Sequence, residues 1–154
     1  MDKNVAEIYG HKVRVRACGI CLDGERLLMV NHTGITRGDF WAPPGGGIEF
    51  GQSIEDTLRR EFREETGFNI TPGKFLFGCE FIQQPIHAIE LFYDVKIESG
   101  KLRTGNDPEI QIITEVRFLT PGEIHNIPPE ELHGIFRTIS SPAELLRLNG
   151  FFRI

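Results

Sequence analysis

Sulfur and tryptophan are scarce in this chain: of 154 residues, three are cysteine, two methionine and one tryptophan. So small and odd a number of cysteines excludes a disulfide scaffold and fits free thiols in a reducing compartment. Long apolar runs are missing too. The uncharged apolar run nearest the start, Ala17 to Leu22, falls far short of the ~20 residues that cross a bilayer, so no transmembrane helix is expected. The opening residues MDKNVAEIYGHK carry charges throughout and no apolar block before a small-residue cleavage site. No signal peptide is therefore expected, and a cytoplasmic location is. Excess positive charge is absent: 17 basic against 22 acidic side chains give a formal net charge of -5. That balance argues against partnership with nucleic acid or an anionic membrane, so a phosphorylated ligand would need cations placed locally. Repeats, linkers and low-complexity tracts are also lacking. With 40% hydrophobic and 25% charged residues, the composition is that of a globular chain, and its length suits one domain over residues 1–154.

In VRVRACGICL, residues 13–22, Val13 and Val15 alternate with Arg14 and Arg16, the period of a half-buried strand. Asp23-Gly24 followed by the apolar run 27–30 is a hairpin signal, which predicts these two segments as antiparallel neighbours. Residues 31–40 form a polar loop. Further strands are expected at 75–82, 88–97 and 112–119, where β-branched and aromatic residues lie between Gly or Pro, giving a mixed sheet. The clearest helix starts after Ser53, with Glu55 and Asp56 in its first turn, and stops at Gly67. Two more helical stretches are expected near Pro128 and Ser141, each with proline in its first turn.

The central helix carries the chemistry. On a wheel of about 100° per residue, Leu58 and Phe62 define an inward stripe, Glu61 and Glu65 fall at or within its edge, and Glu64 sits beside them. Carboxylates turned toward an interior must be paired, protonated or bound to a cation, because an isolated buried charge costs too much. Mg²⁺ or Mn²⁺ suits hard oxygen ligands of this kind. Just ahead of the helix, Pro43-Pro44-Gly45-Gly46-Gly47 lets the backbone approach a ligand and offers carbonyl oxygens. Pairing of the acids with Arg59, Arg60 and Arg63 on a solvated helix is the bland alternative, and the adjoining glycine run weighs against it.

Gly46, five residues, Gln52, seven residues, then Arg60-Glu61-Phe62-Arg63-Glu64-Glu65-Thr66-Gly67-Phe68 closely resembles the Nudix box, G-x5-E-x7-R-E-U-x-E-E-x-G-U, with U apolar. The resemblance implies an α/β fold, an α/β/α sandwich with a mixed sheet. It implies metal-dependent hydrolysis of a phosphoanhydride in a nucleoside diphosphate linked to another group, with Mg²⁺ or Mn²⁺ as cofactor. Glu61 becomes the candidate base, with Arg60 holding Glu64. Glu64 and Glu65 become the principal metal ligands, joined by Glu61 and the Gly45 carbonyl. Glu109, in the stretch 105–109, becomes the further acid that many members draw from a later loop. The partner would be a small nucleotide, with self-association into a homodimer left open. Gln52 departs from the pattern, since the box has its first glutamate there. Gln keeps the length and an acceptor oxygen but can form no ion pair with Arg60. A catalytically weakened domain serving as a nucleotide-metabolite sensor is therefore the alternative reading.

His32 and Arg37, in the polar loop, and Trp41 after it are candidates for substrate recognition. Cys18 and Cys21 have CxxC spacing, but residues three apart on a strand point to opposite faces, so a shared metal is not expected. The five histidines lack paired spacing, so no zinc site is expected either.

Overall fold

A computed structural model describes residues 1–105 and 112–154. Its larger sheet is five-stranded and mixed, in the order β5-β1-β7-β6-β9, from β1 (Val13–Ile20), β5 (Gly45–Gly47), β6 (Phe68–Gln83), β7 (Ile86–Gly100) and β9 (Phe151–Arg153). β1 runs antiparallel to β5 and parallel to β7, and β9 runs parallel to β6. A smaller antiparallel sheet centres on β3 (Arg26–His32), which pairs with β2 (Leu22–Asp23), β4 (Phe40–Ala42) and β8 (Ile113–Leu119).

The expected hairpin is thus much shorter than the sequence implies. Gly24 takes a positive φ of 62° and the turn forms, but only the two residues of β2 pair with β3. β1 itself belongs to the other sheet. The chain changes sheets at Cys21, where the second half of β1 and nearly all of β3 are buried on both faces. β1 sends Ala17 into one core and Cys18 into the other, and β3 divides Leu28 and Val30 from Leu27 and Met29 in the same way. Cys18 and Cys21 accordingly lie in different cores, and all three cysteines are buried free thiols.

The central helix, α2 (Ile54–Thr66), forms as its caps require. Ser53 accepts the Asp56 N–H, and Gly67 closes the helix in the left-handed region at φ 81°. Leu58 and Phe62 pack against Ala17, Val30 and Val95. Gly19 allows this close approach, since a Cβ there would lie 2.5 Å from the Phe62 ring.

On the opposite side, the expected helical stretches near Pro128 and Ser141 are 3-10 turns, Pro129–Glu131 and Pro142–Arg147, rather than α-helices. With them stand the 3-10 turn Gly134–Thr138 and the short helix α3 (Pro121–His125). Ile124, Ile135 and Leu145 from this layer cover Phe77 and Phe92. A mixed and an antiparallel sheet between two helical layers make the α/β/α sandwich that the resemblance implies. Helix α1 (Lys3–Tyr9), capped by the Asp2 side chain, was not expected, nor were α3 and the three-residue strands β4, β5 and β9.

Candidate active site

α2 lies beside β5, and its inner edge sets carboxylates against the glycine strand. The Gly45 N–H donates to Glu65 Oε2 at 3.2 Å, and Glu65 is buried. Glu61 lies over Gly46 so closely that a Cβ on Gly46 would stand 2.2 Å from its carboxylate carbon. Glycine is required at 46 for the space it leaves. Glu64 Oε2 is buried and has no hydrogen-bond partner among the described residues.

Arg60 organises the loop between strand and helix. Its guanidinium reaches Glu49 at 2.7 Å, the Gly47 carbonyl at 3.1 Å and Glu61 at 3.0 Å. The expected tether from Arg60 to Glu64 is not what forms. The glycine strand and Glu49 draw the guanidinium toward Glu61, and Glu64 Oε2 stays unpaired. Gln52 instead accepts a hydrogen bond from the Thr57 hydroxyl at 3.1 Å. The ion pair that Gln52 cannot give Arg60 is supplied from three residues upstream, by Glu49.

A cleft of about 1020 Å³, its open mouth included, runs along these groups. Glu61, Glu65, Arg60 and Gly45–Gly47 line one side of it, while Glu64 does not line it. Of the expected recognition residues, His32 lines the cleft, with Nδ1 3.3 Å from the Phe40 carbonyl. Trp41 does not: it is buried in the core, with the Arg117 guanidinium 5.8 Å above its ring. The alternation of β4 sends Trp41 inward, away from the cleft that Phe40 and Ala42 line. Arg37 is exposed and does not line the cleft; its loop reaches the wall through Ile35 instead. Glu109 lies outside the described residues.

The floor of the cleft holds a charged network that sequence reasoning missed. Glu90 on β7 receives Arg16 Nη1 at 2.6 Å and His133 Nε2 at 2.7 Å, all three groups being largely or wholly buried. The Ile135 N–H donates to His133 Nδ1 at 3.2 Å, which leaves Nε2 to donate to Glu90. Burial would raise the Glu90 carboxyl, but His133 and Arg16 outweigh it and hold the pKa down to about 2. Arg16 Nη2 also donates to the Gly45 carbonyl at 3.2 Å, tying the network to the glycine strand. The signal was present in the alternation of β1, but it runs in the reverse of the usual sense. Val13 and Val15 are 59% and 43% exposed, while Arg14 and Arg16 face the cleft.

Among the described residues, no three His, Cys, Asp or Glu side chains form a ready metal cage. The donors present suit a cation that completes its shell elsewhere. Glu61 and Glu65 face the cleft beside the Gly45 carbonyl, and Glu64, on the same helix, has a buried oxygen with no hydrogen-bond partner among the described residues.

A family model for the NUDIX domain matches residues 10–138. The nucleoside triphosphatase NudI of Salmonella heidelberg is 48% identical over 85 residues, covering 47% of this chain and 60% of that protein. The chain thus spans less than two thirds of that relative's length. The Nudix hydrolase YvcI of Bacillus subtilis is 40% identical over 57 residues, 37% of this chain and 34% of YvcI. A NUDIX hydrolase from Nitrosomonas europaea superposes with a TM-score of 0.70 at 18% identity, over 88% of this chain and 89% of that one. At that identity the likeness concerns the fold alone.

Proposed function

Because the chain belongs to the NUDIX domain family, we propose that it is a metal-dependent hydrolase cleaving a phosphoanhydride bond in a nucleoside diphosphate linked to another moiety. The observation that carries this reading is the seating of Glu61 and Glu65 on the glycine strand at the wall of a cleft, with Arg60 bound to Glu61. The relative NudI is named a nucleoside triphosphatase, and a nucleoside triphosphate falls within the proposed class, its other moiety being phosphate.

Glu61, Glu64, Glu65 and the Gly45 carbonyl would hold Mg²⁺ or Mn²⁺. Such ions keep several waters and share substrate phosphates, so a closed protein cage is not needed. When bound, the cation neutralises charge on the phosphoryl oxygens and acidifies water. Glu61 accepts the proton of the attacking water, and Arg60 fixes the orientation of that carboxylate. Glu65 is fixed by the Gly45 N–H, so both acids are placed before substrate arrives. Glu49 counts against the sensor alternative, since Arg60 has its carboxylate partner without a glutamate at position 52. A cytoplasmic setting and a small-molecule partner accord with this chemistry.

The test is a screen of nucleoside diphosphate derivatives with Mg²⁺ and Mn²⁺, both products being identified by mass spectrometry. Hydrolysis that EDTA abolishes is expected. Micromolar binding without cleavage across the panel would replace the enzyme with the sensor, and hydrolysis indifferent to EDTA would remove the metal.

A further inference from the structure

We propose that His133 and Glu90 are positioning residues for the carboxylate wall, acting through Arg16 on the backbone of Gly45. The proposal rests on the hydrolase reading above and gives a role to the buried network that reading leaves idle.

Every link in the chain is a hydrogen bond. His133 Nε2 donates to Glu90 Oε1 at 2.7 Å, and Arg16 Nη1 donates to Glu90 Oε2 at 2.6 Å. Arg16 Nη2 then donates to the Gly45 carbonyl at 3.2 Å, and the Gly45 N–H donates to Glu65 Oε2 at 3.2 Å. Arg16 and Glu90 are direct partners in the parallel register of β1 and β7. β5 has three residues and stands at the edge of its sheet, paired with β1 alone. A strand held by so few backbone hydrogen bonds opens readily, so a side-chain tie to Gly45 matters to where Glu65 sits.

His133 and Glu90 line the cleft, yet each of their side-chain polar atoms is already engaged. The Ile135 N–H occupies His133 Nδ1 at 3.2 Å, and Glu90 Oε2 also receives Cys18 Sγ at 3.8 Å. Both side chains are 3% exposed. Their influence on a bound substrate therefore passes through what they hold. His133 is itself well fixed: its N–H donates to the Trp41 carbonyl at 2.9 Å, and its ring stands edge-on to Phe92 with centroids 5.6 Å apart. The Arg16 guanidinium is a rigid planar fork, so seating one prong on Glu90 aims the other at Gly45. Groups standing behind ligands in this way commonly carry about ten- to a hundredfold in activity.

The test has two readouts: kcat and KM on the best substrate of the screen, and exchange of the Gly45 amide hydrogen, followed by NMR in the full chain without added metal. That amide reports the seating of Glu65 without turnover. His133→Leu removes the donor to Glu90, whereas His133→Gln keeps one; both lose the ring. His133→Leu should lower kcat by about tenfold or more with KM within about threefold, and speed Gly45 exchange by about tenfold while the Leu58 and Phe62 amides keep their wild-type rates. His133→Gln should stay within about threefold of wild type in both readouts. Arg16→Lys keeps the cation, which lies in the field of Glu61 and Glu65 as well, but gives up the fork, so it should behave as His133→Leu does. Melting curves establish that each variant is folded; should His133→Leu not fold, Arg16→Lys decides. Wild-type kcat or wild-type Gly45 exchange in folded His133→Leu would overturn the proposal. So would His133→Gln as impaired as His133→Leu, which would assign the effect to the ring, or wild-type kcat in folded Arg16→Lys, which would assign it to charge. If wild type hydrolyses nothing, the hydrolase reading falls and Gly45 exchange alone decides: faster exchange in His133→Leu upholds the chain of contacts, and an unchanged rate sinks it.

Discussion

Gly46→Ala separates the catalytic reading from a structural one, because its effect can be worked from a single contact. A Cβ at position 46 would lie 2.2 Å from Glu61 Cδ and 2.3 and 2.6 Å from its oxygens. Carbon atoms in contact settle at about 3.5 Å, so the carboxylate must retreat by more than 1 Å. The backbone does not resist, since Gly46 is not among the glycines with positive φ. The carboxylate is the far end of a flexible side chain, so it can retreat without moving backbone. Alanine also restricts the unfolded chain, an effect worth about 0.4–1 kcal/mol in the opposite direction. The melting temperature should therefore move little. Activity should not survive so well. Glu61 would leave both its position in the cleft and its 3.0 Å contact with Arg60, and a misplacement of ~1 Å at a reacting group costs about a hundredfold. The assay is kcat/KM on the best substrate of the screen, alongside a thermal melt. Activity within about fivefold of wild type in a folded Gly46→Ala protein would show that the Glu61 carboxylate does not act from the position seen here.

Glu61→Gln and Glu65→Gln are each expected to lower kcat by about a hundredfold or more, roughly 3 kcal/mol of transition-state stabilisation, with the fold intact in circular dichroism; normal turnover in either would move the site. Gln52→Glu should change kcat/KM by less than about tenfold, whereas Glu49→Gln should cost more, because Glu49 holds Arg60; a large gain from Gln52→Glu over an inactive wild type would instead identify a disabled enzyme. Glu90 has its pKa lowered from 4.5 to about 2 in the fold, so it stabilises the protein by about 3 kcal/mol above pH 4.5, an advantage lost as pH falls toward 2. Acid unfolding followed by circular dichroism should show this slope, and a Glu90→Gln protein with the same slope would refute the assignment.

The elements most legible in the sequence were those whose local chemistry agrees with the whole. Ser53 and Gly67 bound α2 because a hydroxyl cap and a left-handed glycine are local requirements, met by no more than neighbouring backbone. The long strands were legible for a similar reason, since β6 and β7 contain the expected segments and extend beyond them. β4, β5 and β9 are three residues each, too short to show a period. α1 sets Val5, Ile8 and Tyr9 at helical spacing, but seven residues are too few to mark a helix that is stable alone. Its existence depends on burying Val5 and Tyr9 against Ile86, a partner about eighty residues away. α3 did carry a readable signal, a capping box from Thr120 to Glu123.

The site divides along the same line. Glu61 and Glu65, at the cleft wall, take their positions from one helix and its spacing. Arg16, Glu90 and His133 could not be found that way, because each comes from a different part of the chain and only the parallel pairing of β1 with β7 sets Arg16 beside Glu90. The alternation of Val and Arg in β1 even pointed the wrong way. A strand whose polar face lines a cleft and whose apolar face is partly exposed has the same period as one packed in the ordinary sense, and period carries no information about which face is inside. Glu49 shows the limit most clearly. The sequence marks Gln52 as a loss of charge, and position by position that is correct. Arg60, however, responds to a carboxylate within reach of its guanidinium rather than to one at a fixed place in a motif. The turn that closes when the Gln52 N–H donates to the Glu49 carbonyl brings that carboxylate within 2.7 Å. What the motif loses at one residue, the backbone geometry of the loop restores from another.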